Sequence, residues 1–210
     1  MERVRIQYAK TETLRYTGNL DNHKAWERTL RRSRLPMAYS QGFHPQPRLI
    51  QACPLPLGIT SLAEVIDVWL DEDIPLHLVE PALRRAVPPG IEITNLSLAN
   101  LQEPALPTQV IASEYQAILL EIISTIDLEK RIKGLLEVNQ ITRSRRGKNY
   151  DLRPLIEDLC QTSETINPGI FMRLSARENA TGRPEEVLSA LDIDPTAARI
   201  QRISLIFRNP

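Results

Sequence analysis

The sequence predicts an α+β protein built from two tandem ferredoxin-like (βαββαβ) halves with antiparallel sheets. Three observations carry this expectation. Apolar periodicity switches between two residues and about 3.6, the elements over residues 1–100 fall in the order β-α-β-β-α-β, and a comparable order recurs over residues 111–210. The 210 residues are 42% hydrophobic and 25% charged, enough apolar material for one large core or two cores of about 100 residues each.

The elements follow in chain order. Val4, Ile6 and Tyr8 alternate with Arg3, Arg5 and Gln7, the period of a half-buried strand. A helix is expected from about Asp21 to Ser33, after the polar Gly18-Asn19 step. Its apolar stripe is Leu20, His23, Trp26 and Leu30, and its other face carries Lys24, Arg28, Arg31 and Arg32. Pro36, Pro45, Pro47, Pro54 and Pro56 exclude a long helix through residues 35–58, leaving Leu49 to Cys53 as a strand with Gly58 ending the segment. Glu64 to Leu70 is strand-like in its β-branched and aromatic content. Pro75 suits a first helical turn, Leu76, Val79, Leu83 and Val87 continue one stripe up to Pro88-Pro89-Gly90, and Ile91 to Leu98 closes the first half.

Residues 101–110 read as a linker, aperiodic and containing two prolines, between domains 1–100 and 111–210. Beyond it, Tyr115 to Ile123 reads as a strand, and a helix capped near Asp127 aligns Leu128, Ile132, Leu135 and Leu136. Ile141 to Arg153 is expected as a strand interrupted at Gly147, running into a helical turn with Leu155, Ile156 and Leu159. Ile170 to Leu174 is a strand, Pro184 to Leu191 a helix and Ile200 to Phe207 a closing strand. No residue-level repeat joins the halves.

Equal totals of 26 basic and 26 acidic side chains conceal segregation. Residues 1–50 hold 10 Lys/Arg against 4 Asp/Glu, residues 51–129 hold 2 against 12, and residues 130–153 hold 8 against 2. Such blocks are ordinarily solvated faces, yet they also suit docking to a charged partner. No apolar run approaches the roughly 18 residues of a membrane span, and the start Met1-Glu2-Arg3-Val4-Arg5 has no signal-peptide apolar region, so a cytoplasmic protein is expected. Cys53 and Cys160 lack CxxC spacing and are expected as buried, reduced thiols.

The sequence contains no GxxxxGK[ST], GxGxxG or HExxH. No catalytic residue, metal site or cofactor is assigned. His23 is expected as a hydrogen-bonded core residue and His77 as a surface one, whereas His44 sits in the loop Tyr39-Ser40-Gln41-Gly42-Phe43-His44-Pro45-Gln46-Pro47, which can hold a ligand or simply form a rigid turn. Asp21 is the best-placed lone carboxylate, and its position at a helix N-terminus suffices to explain it. Asp71, Glu72 and Asp73 form an acidic turn. Arg31, Arg32 and Arg34 at the end of the first helix, and Arg143, Arg145, Arg146 and Lys148 around Gly147, are candidate phosphate contacts should the chain bind RNA.

The segments Arg5 to Lys10, Leu14-Arg15-Tyr16, Leu20-Asp21, Trp26 to Ser33, Leu35-Pro36-Met37-Ala38-Tyr39-Ser40-Gln41-Gly42-Phe43 and Pro54-Leu55-Pro56-Leu57-Gly58 resemble the bacterial radical-SAM-linked domain family. The likeness is concentrated in residues 1–100. The family has a histidine ahead of its Leu-Asp pair where this chain has Asn19, and Asn-Pro-His-Pro where this chain has His44-Pro45-Gln46-Pro47. The absence of a radical SAM cysteine triad marks the free-standing form. Free-standing members resemble a small bacterial protein that binds and restrains the endoribonuclease RNase E. The resemblance therefore implies a noncatalytic regulator of RNA degradation. Beside it, the loop residues Gln41, Gly42, Phe43 and His44, and Asp71, Glu72 and Asp73 of the acidic region 51–129, which suits a basic surface of the nuclease, are the partner-binding candidates. The alternatives are an RNA-binding accessory of a radical SAM or RNA-modification system, and, ranked last, an RNA-processing enzyme using His44 or Asp21 as base.

Overall fold

Alternating side chains between Glu2 and Lys10 form strand β1, whose Val4, Ile6 and Tyr8 are fully buried. The computed structural model describes residues 1–121, 123–145, 147–162 and 169–208. They are organised as an α+β chain of two compact units, Met1–Val110 and Ile111–Pro210.

In the first unit β1 is followed by α1 (Asn19–Ser33), β2 (Leu49–Gln51), β3 (Thr60–Leu70), α2 (Leu76–Ala86), β4 (Ile91–Ala99) and the single turn α3 (Leu106–Gln109). The strands lie in the order β4-β1-β3-β2 and every neighbouring pair is antiparallel. Register places Val4 opposite Val68 and Ile6 opposite Ile66. One apolar face results, and it packs with Trp26, Leu30, Val79 and Leu83 from the two helices. Trp26 meets Tyr8 edge to face with ring centroids 4.8 Å apart. Each large side chain buried here contributes about 1.5–3 kcal/mol of transfer free energy.

Three expectations need correction in this unit. Helix α1 begins at Asn19, and its buried positions are Asn22, Trp26, Thr29 and Leu30. Leu20, about 200° around the helix from Asn22, is consequently 76% exposed. The His23 side chain, expected in the core, is partly exposed and lies 3.5 Å from Glu27 one turn on. Strand β3 begins at Thr60 rather than Glu64. At the entry to β4, Gly90 has φ +95° and an added Cβ would stand 2.6 Å from Leu14 Cγ, so only glycine fits. Residues 100–109 pack on the first unit. Leu106 is wholly buried, and the Arg3 guanidinium donates to the carbonyls of Asn100, Glu103 and Pro104.

The second unit contains β5 (Val110–Leu119), α4 (Thr125–Glu137), β6 (Thr142–Arg145), β7 (Lys148–Asp151), β8 (Ile156–Thr162), β9 (Gly169–Arg177), β10 (Ala180–Thr181), α5 (Pro184–Ala190) and β11 (Ala198–Phe207). Its strand order is β8-β9-β5-β11, with β10 also on β9 and β6-β7 forming a separate hairpin. Tyr115 and Ala117 lie opposite Met172 and Ile170, and all four are buried. The N-terminus of α4 is capped by Ser124, whose hydroxyl accepts the Asp127 N–H.

The expected helical turn through Leu155, Ile156 and Leu159 is short, covering Arg153–Leu155, and Ile156–Thr162 is strand β8 on the edge of β9. A second correction concerns Cys160. It faces out of β8 opposite Phe171 and is exposed, whereas Cys53 is buried as expected. Among the described residues no helix is long and apolar enough to cross a membrane.

Candidate functional site

Residues 35–48 carry prolines at both ends of a short polar stretch, and they close into a loop with a fixed stem. Tyr39 bridges Pro47, Ser40 N–H donates to the Gln46 carbonyl at 2.8 Å, and Gln46 N–H donates to Ser40 Oγ at 3.1 Å. Lower down, Arg48 N–H donates to Ala38 O, Ala38 N–H to Trp69 O and Trp69 N–H to Arg48 O. The loop is thereby sewn to the end of β3. Its tip, Gln41 to His44, projects from this stem. Gly42 adopts φ +136° with no atom within 4 Å of an added Cβ, and the Phe43 side chain is fully exposed at 102%.

The same end of β3 leads into the acidic turn. Asp71 N–H donates to Pro36 O at 2.8 Å, and Asp71, Glu72 and Asp73 are all exposed. Asp73 lies 3.7 Å from the Met1 ammonium. The structure thus brings the two groups of partner-binding candidates to one end of the first unit. The C-terminus of α1 joins them, because the Arg31 guanidinium donates to Gln46 Oε1. Arg32 donates to Ala86 O at 2.6 Å and 3.2 Å, and Arg34 closes the helix in the left-handed region at φ 58°. An exposed aromatic, exposed arginines and exposed carboxylates therefore share one surface, the mixture that supplies anchors and steering charge in macromolecular docking.

His44 is exposed on this loop and Asp21 is exposed in the first turn of α1. Ten helical residues, about 15 Å of rise, separate Asp21 from Arg31, the residue that anchors the loop. The two candidate bases do not converge.

In the second unit, Arg143 and Arg145 lie on β6 and Lys148 starts β7, while Arg146 is outside the described residues. Arg143 is half-buried and its Nε meets no acceptor among the described residues. Burial pushes the Glu186 carboxyl on α5 up, and the positive charges of Arg145 and Arg143 partly counter this.

A cluster that sequence reasoning missed joins β1, β3 and residues 100–104. Asp67 on β3 is fully buried, accepts from Arg3 Nε at 2.8 Å, and takes Arg5 bidentately at 2.9 Å and 3.0 Å. Arg5 continues to Glu103 at 3.1 Å, so two cations meet two carboxylates. Hydrogen bonding to Asp67 holds the Arg5 guanidinium above its ordinary range despite partial burial. The Trp69 ring has the Arg48 guanidinium 4.4 Å from its centroid and that of Arg3 5.4 Å away. The sequence carries a faint signal, since alternate positions 3, 5 and 67, 69 place charged and aromatic residues in strand patterns. Among the described residues no three His, Cys, Asp or Glu side chains assemble into a metal site.

Comparison with protein-family models finds one that covers residues 3–184, described as "Uncharacterized protein conserved in bacteria (DUF2344)". No curated protein matches the chain.

Proposed function

We propose that this chain, which belongs to the DUF2344 family of bacterial proteins, is a noncatalytic regulator that docks on RNase E through loop 39–47 and restrains its cleavage of RNA. The observation that carries this reading is Phe43, fully exposed at the tip of a loop whose stem is held by backbone hydrogen bonds. Placing an aromatic ring in water on a fixed support suits insertion into a partner's pocket, with little ordering cost at binding. Asp71, Glu72 and Asp73 then face a basic surface of the nuclease and compete with RNA phosphates. RNase E as the partner, and the radical-SAM-linked family likeness, rest on the motif through residues 35–43. The strand orders β4-β1-β3-β2 and β11-β5-β9-β8, with helices between, support reading both units as ferredoxin-like. The test is titration of the purified chain into RNase E acting on a model RNA. Slower cleavage at stoichiometric addition is expected, and a Phe43→Ala variant should lose the effect. Unchanged cleavage with the parent chain would refute the reading.

A second reading, an RNA-binding accessory, is favoured by the exposed arginines beside the loop and by Lys148 on the hairpin. It expects the isolated chain to retain RNA, and changing Arg145 and Arg146 to Glu to release it.

A further inference from the structure

Helices α1 and α2 end side by side, and their last turns enclose a depression of about 390 Å³ lined by Arg32, Ser33, Arg34, Ala82, Arg85 and Ala86. Three arginines line this one concavity: Arg32 from the last turn of α1, Arg34 from its C-cap and Arg85 from α2. Among the described residues, no carboxylate lies within ion-pair distance of any of the three. Arg84, adjacent in sequence but not in the lining, is by contrast paired with Glu80 at 2.7 Å and bonded to the Ile93 carbonyl.

Arginines at helix C-termini have an ordinary explanation in the partial negative charge there, about half a unit per helix. That explanation covers Arg32, which donates to Ala86 O. The same dipole acts on Arg34 and Arg85, but among the described residues neither guanidinium donates to a carbonyl or a carboxylate, in contrast to Arg32. Arg34 also occupies a left-handed position where glycine would be unstrained. Three full positive charges against two half-charges leave a net attraction for an anion.

The size of the depression narrows the ligand. Its volume falls within the roughly 300–1,000 Å³ of small-molecule sites and exceeds what a bare phosphate fills. The two alanines leave room beside the arginines and give an apolar wall for an attached group. Arginine forks match the geometry of phosphate oxygens, and a dianionic terminal phosphate engages several forks at once.

We propose that this depression binds a phosphomonoester, carried either by a free nucleotide or by the 5′ end of an RNA. The inference does not use loop 39–47, so it stands or falls separately from docking on the nuclease. The experiment measures binding of four probes to the full chain: AMP, adenosine, a short single-stranded RNA with a 5′-phosphate, and the same RNA with a 5′-hydroxyl. At least one phosphorylated probe should bind about tenfold more tightly than its dephosphorylated partner, a difference of about 1.4 kcal/mol. Preference for AMP over adenosine identifies the nucleotide source, and preference confined to the RNA pair identifies the polynucleotide end. The double variant Arg34→Gln with Arg85→Gln should abolish the preference at unchanged circular dichroism, the corresponding double Lys variant should retain part of it, and Arg84→Gln should keep it whole. Equal binding within both pairs, or a preference that survives the double Gln variant, overturns the proposal.

Discussion

On the proposed docking reading, Phe43 serves binding and has little part in stability. Because it contacts solvent throughout, Phe43→Ala should alter unfolding free energy by less than about 0.5 kcal/mol. The same change should weaken nuclease binding by about 2 kcal/mol, roughly thirtyfold, measured by calorimetric titration. Asp67 is the opposite case. Asp67→Asn leaves Arg3 and Arg5 without their buried counter-charge and should cost about 3–5 kcal/mol in urea unfolding. Glu103 adds a pH dependence. Burial acts to raise its carboxyl, but the Asn100 N–H and the Arg5 and Arg3 guanidinium groups outweigh burial and hold it below the ordinary value. A depressed carboxylate contributes stability above its unfolded pKa, about 4.3, and that contribution is lost as pH falls through the lower folded value. Thermal unfolding between pH 6 and pH 3 should therefore show a steeper loss for the parent than for Glu103→Gln. Little of this network was legible in the sequence beyond the alternation at positions 3, 5, 67 and 69. Arg3 and Arg5 register as the polar half of an alternating strand, and their partner lies more than 60 residues away.

At the level of elements, the patterns that proved readable are those with long, unbroken periods. Strand β1, helix α2 and strand β4 lie where alternation and the Leu76, Val79, Leu83 stripe place them. Strand β8 was misread for a physical reason. Leu155, Ile156 and Leu159 repeat at one, three and four residues, a helical spacing, while Pro154 and a register irregularity between Ile156 and Asp158 hide the two-residue period. Pairing with β9, a tertiary contact, settles the conformation there. Cys160 was misplaced with it, since its outward direction follows from the strand. Helix α4 was anticipated near Asp127, but the hydroxyl that caps it belongs to Ser124 three residues earlier. Ser124→Ala should accordingly lower stability by about 1 kcal/mol, and Ser124→Asp should restore most of it in the same denaturant assay.

For the whole molecule, a net charge of zero is misleading because its contributions are sorted along the chain. The candidate surface could be located from sequence only as separate segments: 31–34, 41–44 and 71–73. The loop and the acidic turn are joined by backbone hydrogen bonds from Ala38, Arg48 and Asp71, and the end of α1 by the Arg31 side chain on Gln46, none of which a local pattern announces. Reversing Asp71, Glu72 and Asp73 to Lys tests whether charge steers the encounter. Association with the nuclease should slow by about tenfold or more at low salt, and the difference should shrink as ionic strength rises. The two arginines against Trp69 have a practical corollary. Only two tryptophans are present, and Trp26 is sealed in the core, whereas Trp69 rests against Arg48 at the foot of the projecting loop. An occupant that pulls Arg48 from the indole should change the ring's emission, a label-free optical gauge of engagement at the loop.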